Sequence, residues 1–586
     1  MLSYRTLIDA LLAAPPERPF ITMWHDDDDV EEVNFGEFVS LARLRAAEFY
    51  AHGLKPGDSV VLILPQGISL MTAFAGAMML GAVPAILAYP NFKADPDKYA
   101  AGLSGVTKNL RAGLVIVDDE FPTGLSDHIT LADGARLRRI ATLPNRSADP
   151  VALPKYSPDP HGWAFIQHSA GTTGLQKGVA LSHAAVLTQL HHLATALKIN
   201  DRDRIYNWLP LYHDMGLIAC FMLPLVYHLP LVMQSPIEWV MRPGMMLQLI
   251  SQFRCSLAWL PNFAFQLLAR RVRAEDRANY DLSSLRALVN CSEPVRGQSI
   301  DEFIFTYQTC KLPRDVVKSS YAMAENVFAV TQSPMDGEPQ RIWVDGHELW
   351  SNHNVVAVRV KADKSICFVS SGRCIDGNQV RVVAADNTDM PEGRVGELMV
   401  RSDSLFGGYF NRPDLTAQAL QGGWYRSGDL GFFYDGELYV IGRKKDLIIV
   451  AGKNIYPQDI EEIVWSHPAI HDGRAVAFGL YNPDLGTEDI LVVAEVEKEV
   501  QLNDSLEIER VLRNAIVAEL DITPRAIYLK PPRWVVKSTA GKPARSTTRE
   551  KLLAEHPELN RYEIQGERTD EPTDEPTDKP TGTTDH

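Results

Sequence analysis

The stretch WAFIQHSAGTTGLQKGVALS, residues 163–182, decides how the chain is read. WAFIQ and GVALS have the length and apolar character of buried strands. Between them, His168 to Gly178 gathers three glycines, two threonines, a serine and a lysine. Downstream, Leu187, Leu190, Ala194 and Leu197 fall on one helical face, with Ser182 where an N-cap belongs, so strand, loop, strand and helix are expected in that order. By itself the loop has two readings, a plain turn or a phosphate cradle of bare backbone amides, two hydroxyls and one cation. A Walker loop, G-x-x-x-x-G-K-S/T, is excluded because Lys177 follows Gly174 by three residues and precedes a glycine.

Around this loop, from Trp163 to Val400, runs such as LPLVM, SLAWL, RALVN and VGELMV alternate with longer stretches at helical spacing, which predicts α/β layers. At 586 residues the chain exceeds one compact core. A large domain is expected over residues 1–442 and a small α+β domain over 443–556. The latter begins where strands pass through a glycine turn into YPQDIEEIV, a helix with Ile460, Ile463 and Val464 inward and Pro468 as its stop. Residues 557–586 are the expected tail: from Gly566 a repeated T-D-E/K-P has nothing to bury and reads as disordered. GISLMTAFAGAMMLGAVPAILA, residues 67–88, is long enough for a bilayer, but Pro84 divides it and small residues dominate. A buried helix and strand are expected there, and no integral membrane segment.

The net charge of −16 argues against a nucleic-acid partner, whose phosphates are met by basic patches. Six cysteines without C-x-x-C spacing read as reduced thiols. The acid, arginine and prolines of MLSYRTLIDALLAAPPERPF interrupt any signal-peptide apolar region, so a cytoplasmic protein is expected.

Five further blocks follow the loop in order: NWLPLYHDMGL (207–217), SSYAMAEN (319–326), YRSGDLGF (425–432), IGRKKDLIIVAGKNIYPQDIEE (441–462) and STAGKPAR (538–545). Together the six resemble the motifs of the adenylate-forming superfamily, which holds acyl-CoA synthetases, luciferases, peptide-synthetase adenylation domains and fatty acyl-AMP ligases. The resemblance spans roughly residues 1–556. It implies a large N-terminal AMP-binding domain of mixed sheets with helices, hinged to a small α+β C-terminal domain, and activation of a carboxylate with ATP and Mg2+.

Such activation needs a grip on the triphosphate, charge neutralised at the α-phosphorus and a positioned acid. The resemblance implies that Ser169, Gly171, Thr172, Thr173, Gly174 and Lys177 hold phosphates. It likewise implies that Ser292, Glu293 and Pro294 lie beside adenine with Ser320, Tyr321, Ala322 and Met323, and that Asp429, in a glycine-flanked turn, and Arg443 meet the ribose. Glu325 is the implied Mg2+ ligand, a hard carboxylate for a hard cation, with Thr173 beside it. Lys542 resembles the lysine that bridges acyl carboxylate and α-phosphate, a compact charge on a long stem. Lys542, Glu325 and His213 make up the implied catalytic set, and Lys445 stands where such enzymes pivot.

HDMGL after WLPLY, YPQDIE, and the long stretch from Glu325 to Gly372 resemble the fatty acyl-AMP ligases. Residues 335–371 look like that family's insertion, which implies hindered CoA transfer and delivery of the acyl group to the pantetheine thiol of an acyl carrier protein. An acyl-CoA synthetase and a non-catalytic acyl-adenylate-binding protein are the alternatives. WLPNFAFQLL and IACFMLPLV are expected to line an acyl tunnel. Asp214 is expected to orient local backbone rather than a substrate ammonium, which favours a medium- or long-chain fatty acid. The chain departs from the family at Ala170, where the loop usually carries a hydroxyl, and at Cys291 and Ala322. NDSLE from Asn503 imitates a carrier attachment site, yet Asp504 and Glu507 have capping-box spacing, so a helix of the small domain is expected.

Overall fold

The computed structural model describes residues 3–25, 29–90, 96–131, 135–140, 158–168, 177–358, 365–450, 453–482, 485, 487–497, 505–520, 522–537 and 542–562. The chain forms two compact units, Met1–Leu447 with Val536–Ala544, and Ile448–Val535 with Arg545–His586. Arg443 and Lys445 therefore belong to the first unit.

Among the described residues, the first unit is built on a nine-stranded, a six-stranded and a five-stranded sheet. In the nine-stranded sheet the strands Val317–Ala322, Ala287–Asn290, Leu257–Leu260, Ile205–Asn207, Leu231–Met233 and Pro19–Trp24 lie side by side and parallel. Leu257–Leu260 and Ala287–Asn290 are buried throughout, as strands covered on both faces must be, which is why they read as continuous apolar runs. In the six-stranded sheet Trp163–His168 pairs antiparallel with Gly178–Ser182, His168 facing Gly178, so the strands on either side of the glycine-rich stretch are direct neighbours. The helix His183–Ala196 follows, its first turn capped by the Ser182 hydroxyl, which accepts the Ala185 N–H at 3.1 Å. Leu187, Leu190, Ala194 and Leu197 are buried, as their spacing predicts.

The membrane-like stretch is the helix Ile68–Leu80 and the strand Val83–Ile86. The helix is apolar all round because it is buried all round. It packs so closely on the helix Phe35–Ala51 that a Cβ on Gly76 would stand 2.6 Å from the Ala42 carbonyl oxygen. Among the described residues no helix is long and apolar enough to cross a membrane. All six cysteines are free thiols.

Within residues 335–371, Arg341–Asp345 lies between Ala357–Val358 and Ser365–Val369 in a small sheet, and a helix covers Gly346–Asn352. The base of the sheet is pinched, since the Ser370 N–H donates to the Gln340 carbonyl at 2.8 Å.

In the second unit Thr487–Val496 pairs antiparallel with Ile470–Asn482 and parallel with Ala526–Lys530. The helix Pro457–Trp465 buries Ile460, Ile463 and Val464 and ends before Pro468, as expected. NDSLE opens the helix Ser505–Leu520, which buries Ile508, Leu512, Ile516 and Leu520 at four-residue spacing; Asp504 lies outside the described residues. Pro557–Tyr562, within the expected tail, is a 3-10 helix whose Leu559 joins a core with Leu552 and Trp534. Apolar anchoring thus carries ordered chain past residue 557, and residues 563–586 lie outside the described residues.

Candidate active site

Parallel sheets offer ligands the carboxyl ends of their strands, where loops diverge and backbone groups point outward. The candidate residues collect there: Ser292 to Pro294 follow Ala287–Asn290, Ser320 to Ala322 end Val317–Ala322, and the HDMGL block follows Ile205–Asn207.

Three residues far apart in sequence form one cluster. The Tyr321 hydroxyl donates to Asp429 Oδ2 at 2.6 Å, and Arg443 Nε donates to Asp429 Oδ1 at 3.2 Å. Burial, then the neighbouring Asp429 charge, pushes the Tyr321 phenol well above its usual range, and Asp429 in turn raises Arg443. The expected turn at SGDLG is instead part of the strand Trp424–Tyr434, with Asp429 directly opposite Arg443 on the strand Glu437–Arg443. Gly428 at φ +72° and a register shift at Leu430 and Gly431 bend that strand, so a bulge rather than a turn aims the carboxylate.

A second group surrounds Ser292, which takes a left-handed φ of +71°. Its carbonyl accepts the Lys542 ammonium, and its hydroxyl approaches the Met215 sulfur at 3.9 Å. Asp214 accepts the Met215 N–H at 2.8 Å and lies 2.6 Å from His213 Nδ1. Burial alone would raise its pKa, but His213, the Met215 N–H and Lys542 outweigh burial and hold it below the usual carboxylate range. The residue orients local backbone, as expected: it caps a π-helix over Met215–Met222. The irregular Cys291 is a neutral thiol, pushed up to about 12 by burial and then by Asp214.

The third group is Glu325, in the 3-10 turn Ala324–Asn326, buried and accepting the Tyr409 hydroxyl at 2.7 Å. Lys177, the described end of the glycine-rich loop, stands 4.7 Å from the centre of the Tyr409 ring. Ser169, Gly171, Thr172, Thr173 and Gly174 lie outside the described residues, as does Ala170.

Not every candidate presents a free group. The Ser320 hydroxyl is spent on the Thr331 carbonyl at 2.8 Å, and Glu293 Oε2 accepts the Phe263 N–H at 3.0 Å, where it caps the helix Asn262–Arg271. Met323 donates its N–H to the Phe328 carbonyl, while Ala322 pairs with Ala329 across the sheet. Pro294 is half-buried in the turn that follows Glu293, and Lys445 sits in the single turn Lys444–Asp446. The IACFM stretch is the buried π-helix itself, and WLPNFAFQLL supplies a buried strand end and the helix Asn262–Arg271. The sequence reading missed Tyr409; the FGGYF glycine pair, which lets the chain approach closely there, is the signal that marks it.

The AMP-binding enzyme family matches residues 9–410. The chain belongs to this family, within the adenylate-forming superfamily. A medium-chain-fatty-acid–[acyl-carrier-protein] ligase, JamA, of Moorena producens is 30% identical over 94% of this chain and 95% of its own. The long-chain-fatty-acid–AMP ligase FadD32 of Mycolicibacterium smegmatis is 28% identical over 85% of each chain. A structure from work on the fatty acyl-adenylate ligases of E. coli and L. pneumophila matches with a TM-score of 0.86 at 28% identity, over 95% of this chain and 98% of its own. Among the adenylate-forming enzymes, the chain is a fatty acyl-AMP ligase, using ATP to form acyl adenylate.

Proposed function

We propose that this ligase activates a medium- or long-chain fatty acid and passes the acyl group to the phosphopantetheine thiol of an acyl carrier protein. The observation that carries the reading is the convergence of the Tyr321–Asp429–Arg443 cluster and of Lys542 against Ser292 in a chain so similar to a carrier-protein ligase. Asp429 would turn its carboxylate oxygens to the two ribose hydroxyls, with Arg443 beside it and Tyr321 against the base. Lys177 and its loop would hold the phosphates. The acid's oxygen attacks the α-phosphorus in line, pyrophosphate leaves, and Lys542 neutralises charge between the two reacting groups.

Glu325 fits a hard cation: it is an oxygen donor whose carboxylate and backbone carbonyl are both held by hydrogen bonds. Glu325, with Thr173, would hold Mg2+, which supplies charge neutralisation for the phosphates. The AMP-binding domain is read over residues 1–442 and the mobile small domain over 443–556, pivoting at Lys445, although the compact units divide after Leu447 and Val536–Ala544 belongs to the first of them. The insertion over 335–371 keeps CoA from serving as acceptor, and the tail over 557–586 takes no part in the chemistry.

The test is to supply ATP, Mg2+ and dodecanoic acid with either a holo carrier protein or CoA. Acyl-carrier product without acyl-CoA is expected, read by mass spectrometry. Comparable acyl-CoA formation defeats the acceptor assignment, and absence of pyrophosphate exchange with any acid of a fatty-acid panel defeats the adenylation reading.

A further inference from the structure

The segment Phe406–Phe410 is bound on two sides. On one side the Gly407 N–H donates to the Ala180 carbonyl at 3.2 Å, the Ala180 N–H to the Gly408 carbonyl at 3.1 Å, and the Phe410 N–H to the Gly178 carbonyl at 2.7 Å. The segment therefore runs along the strand that leaves the glycine-rich loop. On the other side the Phe406 N–H donates to the Glu325 carbonyl at 2.8 Å, and the Tyr409 hydroxyl donates to Glu325 Oε1 at 2.7 Å.

Glycine makes this approach possible. A Cβ on Gly407 would lie 2.1 Å from the Trp163 indole, and Gly408 takes φ +136°. Tyr409 and Glu325 are both buried, where a carboxylate must be met by donors, and the Tyr425 hydroxyl stands 3.4 Å from that of Tyr409. The face of the same Tyr409 ring carries the Lys177 ammonium.

We propose that Tyr409 is a positioning residue that joins the two charges this site would bring to a nucleotide's phosphates. Its hydroxyl fixes the Glu325 carboxylate and its ring seats Lys177, so the anionic metal ligand and the phosphate-binding cation are set by one side chain. The inference rests on the reading of Glu325 as the ligand of a divalent cation. Without the hydroxyl, Glu325 loses that hold on its orientation; without the ring, Lys177 loses its seat as well.

Tyr409→Phe keeps the ring and removes the hydroxyl, and Tyr409→Leu removes both. Mn2+ affinity in the presence of ATP is read directly by electron paramagnetic resonance, apart from turnover. KM for ATP is measured at saturating Mg2+. For Tyr409→Phe, Mn2+ affinity is expected to fall about tenfold, the weight of one hydrogen bond to a charged group, with KM for ATP little changed. Tyr409→Leu is expected to raise KM for ATP about threefold in addition. In a Glu325→Gln background, Tyr409→Phe should weaken Mn2+ no further. Wild-type Mn2+ affinity in Tyr409→Phe beside weakened affinity in Glu325→Gln overturns the proposal alone. Wild-type affinity in both overturns the reading of Glu325 and the proposal with it.

Discussion

Gly216, in HDMGL, is packed closely against main chain beside the candidate site, and Gly216→Ala tests that packing. A Cβ there would stand 2.3 Å from the Pro210 carbonyl oxygen and 2.9 Å from that of Leu209. Carbon–oxygen contacts ordinarily lie at about 3.3 Å or more, so the two stretches must separate by about 1 Å. Both obstacles are main chain, and no rotamer change relieves them. The Leu209 carbonyl is pinned from its other side, accepting Gln66 Nε2 at 3.1 Å and Asn207 Nδ2 at 3.3 Å. What yields is the start of the π-helix, with Asp214 at its N-terminus and His213 beside it. Overpacking of this kind costs about 1–3 kcal/mol of stability, and an error of about 1 Å beside reacting groups costs on the order of a hundredfold in rate. Pyrophosphate exchange at saturating acid and a thermal melt measure the two. The control is Gly102→Ala in the helix Pro96–Leu110, where nothing lies within 4 Å and a gain of about 1 kcal/mol is expected. A Gly216→Ala enzyme that matches the wild type in exchange rate and melting temperature refutes the reasoning.

Lys542→Ala should lower acyl-AMP formation, trapped with hydroxylamine, by on the order of a hundredfold or more; trapping at the wild-type rate removes the assigned role. His168 and His183 are buried, and burial lowers each to about 4 from 6.5. The folded chain keeps them neutral where the unfolded chain binds protons, so their contribution is complete above pH 6.5 and declines as pH falls towards 4. Each costs on the order of 2 kcal/mol at pH 5, and His168→Phe should flatten the slope of urea midpoint against pH between 7.5 and 5; an unchanged slope contradicts the account. Because Gln340 and Ser370 are already hydrogen-bonded neighbours, residues 341–369 can be excised and closed with a short glycine link. Acyl-CoA formation should then rise while adenylation persists, and unchanged CoA rejection argues against the insertion's role.

Much of the fold was legible because its signals are local. Ser182 and the spacing of Leu187, Leu190, Ala194 and Leu197 define a helix within one stretch; the membrane-length apolar run does break into a helix and a strand, but at Gly81, left-handed at φ +84°, while Pro84 lies inside the strand. The order of six motif blocks likewise pointed to the family without any contact being known. The tail boundary was less legible, since a single apolar residue, Leu559, extends the ordered chain through a contact with distant residues.

The sequence by itself therefore determined the class of chemistry, because each motif is a short run whose spacing survives in one dimension. Only the tertiary structure decided which of the candidate residues share a partner. Tyr321 meets Asp429 across 108 residues, Lys542 meets the Ser292 carbonyl across 250, and Glu325 is held by Tyr409 across 84. Strand pairing likewise made SGDLG a bulged strand, and helix capping drew Glu293 to Phe263. The physical reason is common to all of these: a buried polar group takes whatever partner folding brings within about 3 Å, and separation along the chain carries no record of that distance.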